Sequence, residues 1–254
     1  MKKTRWLLLS SFALFGCNKK AIFDGPHFFE DDFESYSSVQ NLLLPNDQRW
    51  SFTQLTRKDN TVNVDSARTH SGRKALKFFA RKSDGEGASK GSIAKQNMAF
   101  WDGETVSVSG WYFIEGTASL QWLFLLDLEE QTAVGAGPGI RLALVDNKLR
   151  MEYKFNEKDV VQPAGQEVDF PRNQWVHLTW EVKLSQKKAG AVRLWQNGQI
   201  IINSTGNTTL PKDVLYFQQG TKGMYSSCEI GITANSQQSD ATIWVDEFKI
   251  EKLN

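Results

Sequence analysis

Hydrophobic and polar residues alternate along most of the chain in short runs with a period of two. Residues 61–65 and 104–114 show this alternation, which is typical of half-buried β-strands. Residues 120–128 are almost continuously apolar, which predicts a strand covered on both faces. No run of residues keeps a period of 3.6 over three helical turns. The pattern therefore predicts an all-β protein.

Turn-forming sequences separate these runs. Asn197-Gly198 predicts a β-hairpin with a type I′ turn, in which both central residues have positive φ. A second hairpin is predicted at residues 146–148. Residues 132–139, with three glycines and one proline, predict a loop, and residues 82–91, rich in serine, glycine and charge, predict another. About a dozen strands at spacings of 8–12 residues indicate an antiparallel sandwich of two sheets.

The start of the chain has a different pattern. A basic segment, residues 2–5, precedes the apolar residues 6–15, and Gly16 comes directly before Cys17. This order predicts a secretory signal peptide, because its apolar core is too short to span a bilayer. Gly16-Cys17 resembles the bacterial lipobox. An ordinary signal peptide followed by a chance cysteine is the alternative.

The lipobox resemblance implies a particular processing. The signal peptide, residues 1–16, is removed, Cys17 is acylated, and residues 17–28 form a tether to a domain at residues 29–254. Acyl chains anchor a protein to a membrane without spanning it. Asn18 after the cysteine implies the outer membrane of a Gram-negative envelope, on either its periplasmic or its external side.

Composition narrows the classes of function. Without the three basic residues of the signal peptide, 27 basic residues face 29 acidic ones, a net charge of about −2. This balance does not indicate a nucleic-acid-binding protein, which carries a basic patch. Aromatic residues make up 12% of the chain and include nine tryptophans, which can fill a core or, if exposed, stack on sugar rings. Cys228 is interpreted as a small buried hydrophobic residue.

Several short segments form a recognisable set: DDFE at 31–34, HSGRKAL at 70–76, WVHL at 175–178, GAVRLWQNG at 190–198 and WVDEF at 244–248. Together they resemble the concanavalin A-like, or laminin-G-like, jelly roll of secreted carbohydrate-active proteins. Within that superfamily the layout resembles heparin-lyase-like and glucuronan-lyase-like polysaccharide lyases and related carbohydrate-binding modules. The resemblance implies a jelly roll over about residues 29–252 that binds sugar on its concave face. Fold alone does not determine activity.

The predicted sugar site centres on the apolar strand. Asp127 and Glu129 are two residues apart, so the strand period places both on one face. Their carboxylates can accept hydrogen bonds from sugar hydroxyls, and a tryptophan can supply a stacking surface. The predicted ligand-binding residues are Asp127, Glu129, Arg141, Tyr153, Trp122 and Trp195.

A second interpretation of the acidic pair is open, and a third, glycoside hydrolysis, is not supported by the sequence. Asp127 and Glu129 can instead form ion pairs with Arg141 and Lys154 on adjacent strands. The jelly-roll glucanases hydrolyse glycosides with a Glu-x-Asp-x-Glu strand, but here Leu125 stands at the position of the nucleophilic glutamate. Hydrolysis by two carboxylates is therefore not predicted.

A lyase would need a base for the C5 proton and a group that neutralises the uronate. Residues 222–225, KGMY, resemble the late Lys-x-Gly-x-Tyr strand of the lyases. The histidine of the lyase cleft is missing from its strand, and we expect acidic residues in the cleft to repel a uronate. The catalytic set implied by the resemblance is Tyr225, Lys222, Arg141 and Gln121.

The resemblance also implies a structural Ca²⁺ that joins the first and last strands. Its ligands would be Asp32, Glu34 and Asp246, together with carbonyl groups of the Ser-Gly loop. Ca²⁺ takes six to eight oxygen ligands, of which these side chains supply only some. The alternative is that the three carboxylates are solvated charges on edge strands.

The sequence alone favours a lipid-anchored protein that binds a polysaccharide or oligosaccharide without catalysis. The first alternative is a lyase that cleaves a uronate-containing polysaccharide by β-elimination. The second is a structural envelope protein without a glycan ligand. The expected membrane contact is the lipid anchor alone, and no nucleic-acid partner is expected.

Overall fold

The structure is a computed structural model that describes residues 25–43, 48–132, 135–154, 158–209 and 224–253. The signal segment, Cys17 and Lys222 lie outside these ranges. The described residues contain one helix, of a single turn. It is not long and apolar enough to cross a membrane. The elements are β1 (Phe28–Asp31), α1 (Val39–Leu42), β2 (Phe52–Leu55), β3 (Thr61–Asp65), β4 (Ala75–Ala80), β5 (Ser89–Lys95), β6 (Phe100–Trp101), β7 (Thr105–Ile114), β8 (Trp122–Thr132), β9 (Gly135–Val145), β10 (Lys148–Tyr153), β11 (Trp175–Lys183), β12 (Gly190–Gln196), β13 (Gln199–Gly206), β14 (Met224–Asn235) and β15 (Ala241–Lys252).

The strands form two antiparallel sheets. The eight-stranded sheet has the order β13-β12-β11-β7-β15-β4-β3, with β1 also paired to β15. The seven-stranded sheet has the order β10-β9-β8-β14-β5-β2, with β6 also paired to β14. The predicted all-β sandwich of two sheets is therefore confirmed.

The predicted hairpins lie where the turn sequences place them. Asn197 and Gly198 have φ values of 50° and 78° between β12 and β13, as a type I′ turn requires. Asp146 and Asn147 likewise have positive φ between β9 and β10. The loop predicted for residues 132–139 is wrong, because β8 and β9 continue their pairing to Thr132 and Gly135.

The core fills the space between the two sheets. Along β8 and β9, Leu126, Leu128 and Leu142 point inward and are buried. The sheets approach closely at Gly231 of β14, where an added Cβ atom would lie 2.4 Å from the ring of Phe78 on β4. Burial of these apolar side chains is the main favourable term in the stability of the sandwich.

A β-bulge in β8 changes which residues share a face. The register with β9 shifts between Phe124 and Leu126, so Leu125 is the extra residue. Strict alternation would place Phe124 and Asp127 on opposite faces, because they are three positions apart. The bulge brings both to the outer face of the seven-stranded sheet, whereas Leu125 and Leu126 are buried.

Candidate functional site

A groove lies on the outer face of the seven-stranded sheet. It has a volume of about 560 Å³. Residues of β8 and β9 line its centre, the loop at residues 83–88 forms one side, and Lys154, directly after β10, forms the other. The charged residues among its described lining are Lys90, Asp127, Arg141 and Lys154.

Two sets of ion pairs lie side by side at the groove, and their carboxylates are within 4.8 Å of one another. Lys154 Nζ lies 2.5 Å from Glu129 Oε1 and 3.3 Å from Asp127 Oδ2. Arg141 Nε lies 3.9 Å from Asp127 Oδ1, since the two residues are direct partners across β8 and β9. Further along the sheet, Lys90 Nζ lies 3.3 Å from Glu229 Oε2, and the Ser92 hydroxyl donates to Glu229 Oε1. We call Lys90, Asp127, Glu129, Arg141, Lys154 and Glu229 the charged cluster.

The cations of this cluster lie nearer to solvent than most of its carboxylates. The side chains of Lys90, Arg141 and Lys154 are 14–21% exposed. Glu229 and Asp127 are only 1% and 4% exposed, while Glu129 is 15% exposed. The groove is therefore lined by three cations and the nearly inaccessible Asp127. Glu129 is outside this lining but is the most exposed carboxylate of the cluster, and it contacts the groove through Lys154.

Burial and neighbouring charges shift two pKa values in the cluster. Burial pushes the pKa of Lys154 down, but the carboxylates of Asp127 and Glu129 outweigh that effect and raise it, so Lys154 is an ammonium ion. Burial raises the pKa of Glu229, and the nearby charge of Asp127 adds to the rise against the opposing effect of Lys90. Glu229 therefore has a higher pKa than an ordinary glutamate, mainly because it is buried.

One carboxylate trio in the described part of the chain is compact enough for a shared cation. Oxygen atoms of Asp127, Glu129 and Glu229 lie within 4.8 Å of one another. The ammonium groups of Lys154 and Lys90 already contact these three side chains. Because lysine side chains supply the positive charge, we assign no metal ligands here.

An aromatic pair lines the other end of the groove. Trp122 and Phe124 stack with their ring centroids 4.7 Å apart and their planes at 29°. The guanidinium group of Arg141 lies 4.3 Å above the Phe124 ring, which links this end to the charged cluster. Gln121 has φ of 57° and lines the same end. This arrangement offers a stacking surface next to positive charge.

The structure gathers four of the predicted ligand-binding residues and separates two. Asp127, Arg141 and Trp122 line the groove, and Glu129 joins them through its contact with Lys154. The predicted ion pairs with Arg141 and Lys154 are present. Tyr153 is not in the groove, because it alternates with Lys154 and packs against the core. Trp195 lies in the other sheet, paired with Thr179 of β11.

The predicted lyase residues are also separated. Arg141 and Gln121 line the groove, and Lys222 lies outside the described residues. Tyr225 is fully buried, and its hydroxyl donates to the backbone carbonyl of Thr208 at 2.5 Å. It packs with the core because a register shift of β14 between Tyr225 and Ser227 turns it away from the groove.

The predicted Ca²⁺ ligands serve another purpose. Asp246 accepts backbone N–H groups of His70 and Ser71, and Glu34 Oε1 accepts those of Arg73 and Lys74. Asp32 accepts the backbone N–H of Glu34 and is not grouped with the other two carboxylates. Backbone donors contact both oxygens of Asp246 and one oxygen of Glu34, and the three carboxylates do not form one compact set, so these residues do not fit the predicted Ca²⁺ site. They fasten the loop at residues 70–74 to the first and last strands.

His70 in this loop and His177 on β11 both lie away from the groove. His70 stacks on Trp111 at 3.6 Å, and its Nδ1 lies 3.0 Å from Glu247 Oε2. His177 pairs with Trp111 across β11 and β7. Both lie on the outer face of the eight-stranded sheet, on the far side of the molecule from the groove.

Sequence reasoning missed three residues of the site. Lys90 and Ser92 lie on β5, whose beginning falls in the segment predicted as a loop. Glu229 stands in an apolar strand between Cys228 and Ile230. The sequence could have indicated Glu229, because a charged residue among apolar neighbours in a buried strand needs a partner of opposite charge.

Comparisons with known proteins identify the family of the chain and the relatives of its fold. Residues 45–249 match a family model described as polysaccharide lyase. No curated protein sequence matches the chain.

Three solved structures are similar in fold. They are an endo-β-1,4-glucuronan lyase from the fungus Trichoderma reesei (TM-score 0.62, 15% identity, 80% of this chain and 90% of that chain), an alginate lyase (0.59, 10%, 90% and 98%) and a marine alginate lyase from Aplysia kurodai (0.53, 14%, 90% and 97%). At these identities the similarity shows the jelly-roll fold.

Proposed function

The chain belongs to the polysaccharide lyase family, and on this premise we propose that it cleaves a uronate-containing polysaccharide by β-elimination in the groove. One observation carries the proposal: three cations line the groove, whereas the carboxylates of Asp127 and Glu229 beside them are almost inaccessible to solvent. An anionic sugar residue entering the groove meets Lys90, Arg141 and Lys154 first. The repulsion expected from the acidic residues is reduced, because ammonium groups and a guanidinium group accompany them.

The first task in β-elimination is neutralisation of the substrate carboxylate. We assign this task to Arg141 and Lys90, whose side chains are about one-fifth exposed at the groove. A guanidinium group matches a carboxylate with two parallel hydrogen bonds. Neutralisation withdraws charge from C5 and makes its proton more acidic, as electrostatic stabilisation of the developing enolate requires.

The second task is proton transfer on both sides of the bond that breaks. Glu129, the accessible carboxylate, takes the C5 proton, and the C5–H electron pair forms the C4–C5 double bond. The C4–O4 bond breaks, and the ammonium group of Lys154 donates a proton to O4. The products are a new sugar hydroxyl and an unsaturated uronate.

The contact between Glu129 and Lys154 returns both residues to their starting states. After the reaction Glu129 is protonated and Lys154 is a neutral amine. The two side chains are 2.5 Å apart, so the proton passes directly from the carboxyl group to the amine. Protonation of Glu129 also removes a negative charge that stabilises the ammonium ion, which makes Lys154 a stronger acid when O4 leaves.

Binding without catalysis is the second candidate, and one observation favours it. No tyrosine or histidine lines the groove among the residues that the structure describes. These are the side chains that lyases usually use as a base. A capturing protein would use the same cations and the Trp122–Phe124 pair to hold the polysaccharide intact.

The test is the formation of an unsaturated uronide, which absorbs in the near ultraviolet. We expect product from a uronate polysaccharide with the wild type, and a loss of about 10²-fold or more in kcat/KM for Lys154→Met, as for removal of a general acid. Lys183→Met is the matched control, because Lys183 is exposed on β11 in the other sheet. Retention of glucuronan and alginate on an affinity gel without any product would favour binding alone.

A further inference from the structure

Glu229 lies in the middle of the seven-stranded sheet, buried next to Lys90 and Asp127, which line the groove. On β14 it is the direct partner of Asp127 on β8 and of Ala94 on β5. Its side chain is 1% exposed, yet its carboxylate faces the charged cluster through Ser92 and Lys90. The sugar cannot touch it directly, so any effect on the reaction passes through its neighbours.

The charges facing Glu229 are balanced when the groove is empty. β8 supplies Asp127 and Glu129, and β5 supplies Lys90 with the Ser92 hydroxyl. Arg141 on β9 and Lys154 after β10 reach Asp127 from the far side. Three carboxylates thus stand against three cations, and a bound uronate adds a fourth negative charge.

We propose that Glu229 is a positioning residue that takes up one proton when an anionic sugar enters the groove. The ligand class in this proposal rests on the proposed function. Lys90 is the partly exposed ion-pair partner of Glu229, and it lines the groove, so a bound carboxylate competes for its ammonium group. A carboxylate left buried without its cation is costly, and protonation removes that cost. Protonated Glu229 keeps the Ser92 hydrogen bond, because Oε1 still accepts it.

The sign of the pH dependence follows from the same contacts. Burial raises the pKa of Glu229 in the free protein, and Lys90 opposes that rise. Diversion of Lys90 to the ligand raises the pKa further, so the complex holds more protons than the free protein between the two pKa values. Affinity therefore falls as pH rises through that window, with Kd increasing up to about tenfold per pH unit for one proton.

The experiment measures rapid-mixing affinity for tetrasaccharides of glucuronate and alginate before turnover. The range is about pH 5 to about pH 8, where the sugar carboxylates stay ionised. Calorimetry in two buffers of different ionisation enthalpy counts the protons taken up. We expect close to one proton and a rising Kd for the wild type, and neither effect for Glu229→Gln. Glu181→Gln, in the other sheet, is the control and should behave as the wild type.

A second variant keeps the test independent of the folding of Glu229→Gln. Ser92→Ala retains the carboxyl group but removes a hydrogen bond that lowers its pKa, so the inflection of Kd should move to higher pH. Binding with a pH-independent Kd and no proton uptake would overturn the inference while leaving the proposed function intact. No binding of either tetrasaccharide would also overturn it, and the ultraviolet product assay reports separately on the lyase reaction.

Discussion

At the scale of single residues, Asp127 holds the groove cations in position. Its side chain is 4% exposed and contacts both Lys154 and Arg141. Its Oδ1 and the Arg141 Nε face each other with no closer hydrogen-bond partner in the described structure. A buried carboxylate of this kind orients cations more than it binds sugar.

The first prediction concerns the substitution Asp127→Ala. Removal of one member of a buried ion pair costs about 3–5 kcal/mol. We expect the lower end of that range, because Lys154 keeps Glu129 as a partner. Chemical denaturation measures the loss. Asp169→Ala, which breaks the exposed pair with Lys148, should cost no more than about 1 kcal/mol. Unchanged stability of Asp127→Ala would contradict the role assigned here.

The second prediction separates a structural carboxylate from a metal ligand. Asp246 is fully buried and accepts backbone N–H groups of His70, Ser71 and Glu247. Asp246→Ala leaves these donors unsatisfied, at about 1–3 kcal/mol for such a group. We expect the same fall in melting temperature with added Ca²⁺ and with a chelator. A fall seen only with Ca²⁺ would restore the metal site.

At the scale of elements, β8 shows what the sequence could predict and what it could not. Its apolar run correctly predicted a strand, and the period of two correctly placed Asp127 and Glu129 on one face. The bulge at Leu125 has no marker in an otherwise leucine-rich strand. It becomes visible only in the pairing with β9, where Phe124 lies opposite Ala143 and Leu126 lies opposite Leu142.

The same reasoning explains the missed strand β5. Residues 89–95 read SKGSIAK, a sequence of small and charged residues without a clear apolar alternation. They form a strand because they lie between β14 and β2 and complete their hydrogen bonds there. Gly91 allows this, since an added Cβ atom would lie 2.4 Å from the carbonyl oxygen of Phe79 in the opposite sheet. Tertiary context thus overrides a weak local preference.

The third prediction concerns the β8–β9 pairing beside Glu129. Gly139 has φ of 153°, and an added Cβ atom would lie 2.0 Å from the carbonyl oxygen of Leu128. Gly139→Ala should therefore destabilise the protein by at least about 3 kcal/mol and displace the partner strand. Gly116→Ala is the matched control, because Gly116 also has positive φ but open space around it. Its cost should be about 1–2 kcal/mol, the strain of a left-handed residue.

At the scale of the whole molecule, the start of the described chain and the groove lie on different sheets. The described chain begins just before β1, an edge strand paired with the last strand, and the groove lies on the other sheet. We propose that acylated Cys17 holds this body at the outer membrane through the tether that precedes β1. The groove is then free to meet a polymer.

The fourth prediction tests that anchor. Cys17→Ser removes the thiol that would carry the lipid, so we expect the protein to leave the membrane fraction and become soluble after cell lysis. Fractionation followed by immunodetection measures this. Ser10→Cys in the same background is the control, because a cysteine within the apolar segment should not restore anchoring. Continued membrane association of correctly cleaved Cys17→Ser would contradict the proposal.

The buried thiol of Cys228 can report on global unfolding through its reaction with alkylating reagents. It lies between the sheets beside Tyr112, and burial raises its pKa well above the usual value. Alkylating reagents attack the thiolate. In the folded protein the thiol is protonated and inaccessible, so it reacts only when the two sheets separate. The chain has only two cysteines, and lipid on Cys17 would leave this one free. Its rate of alkylation should therefore rise with denaturant in step with global unfolding, reporting how often the sandwich opens.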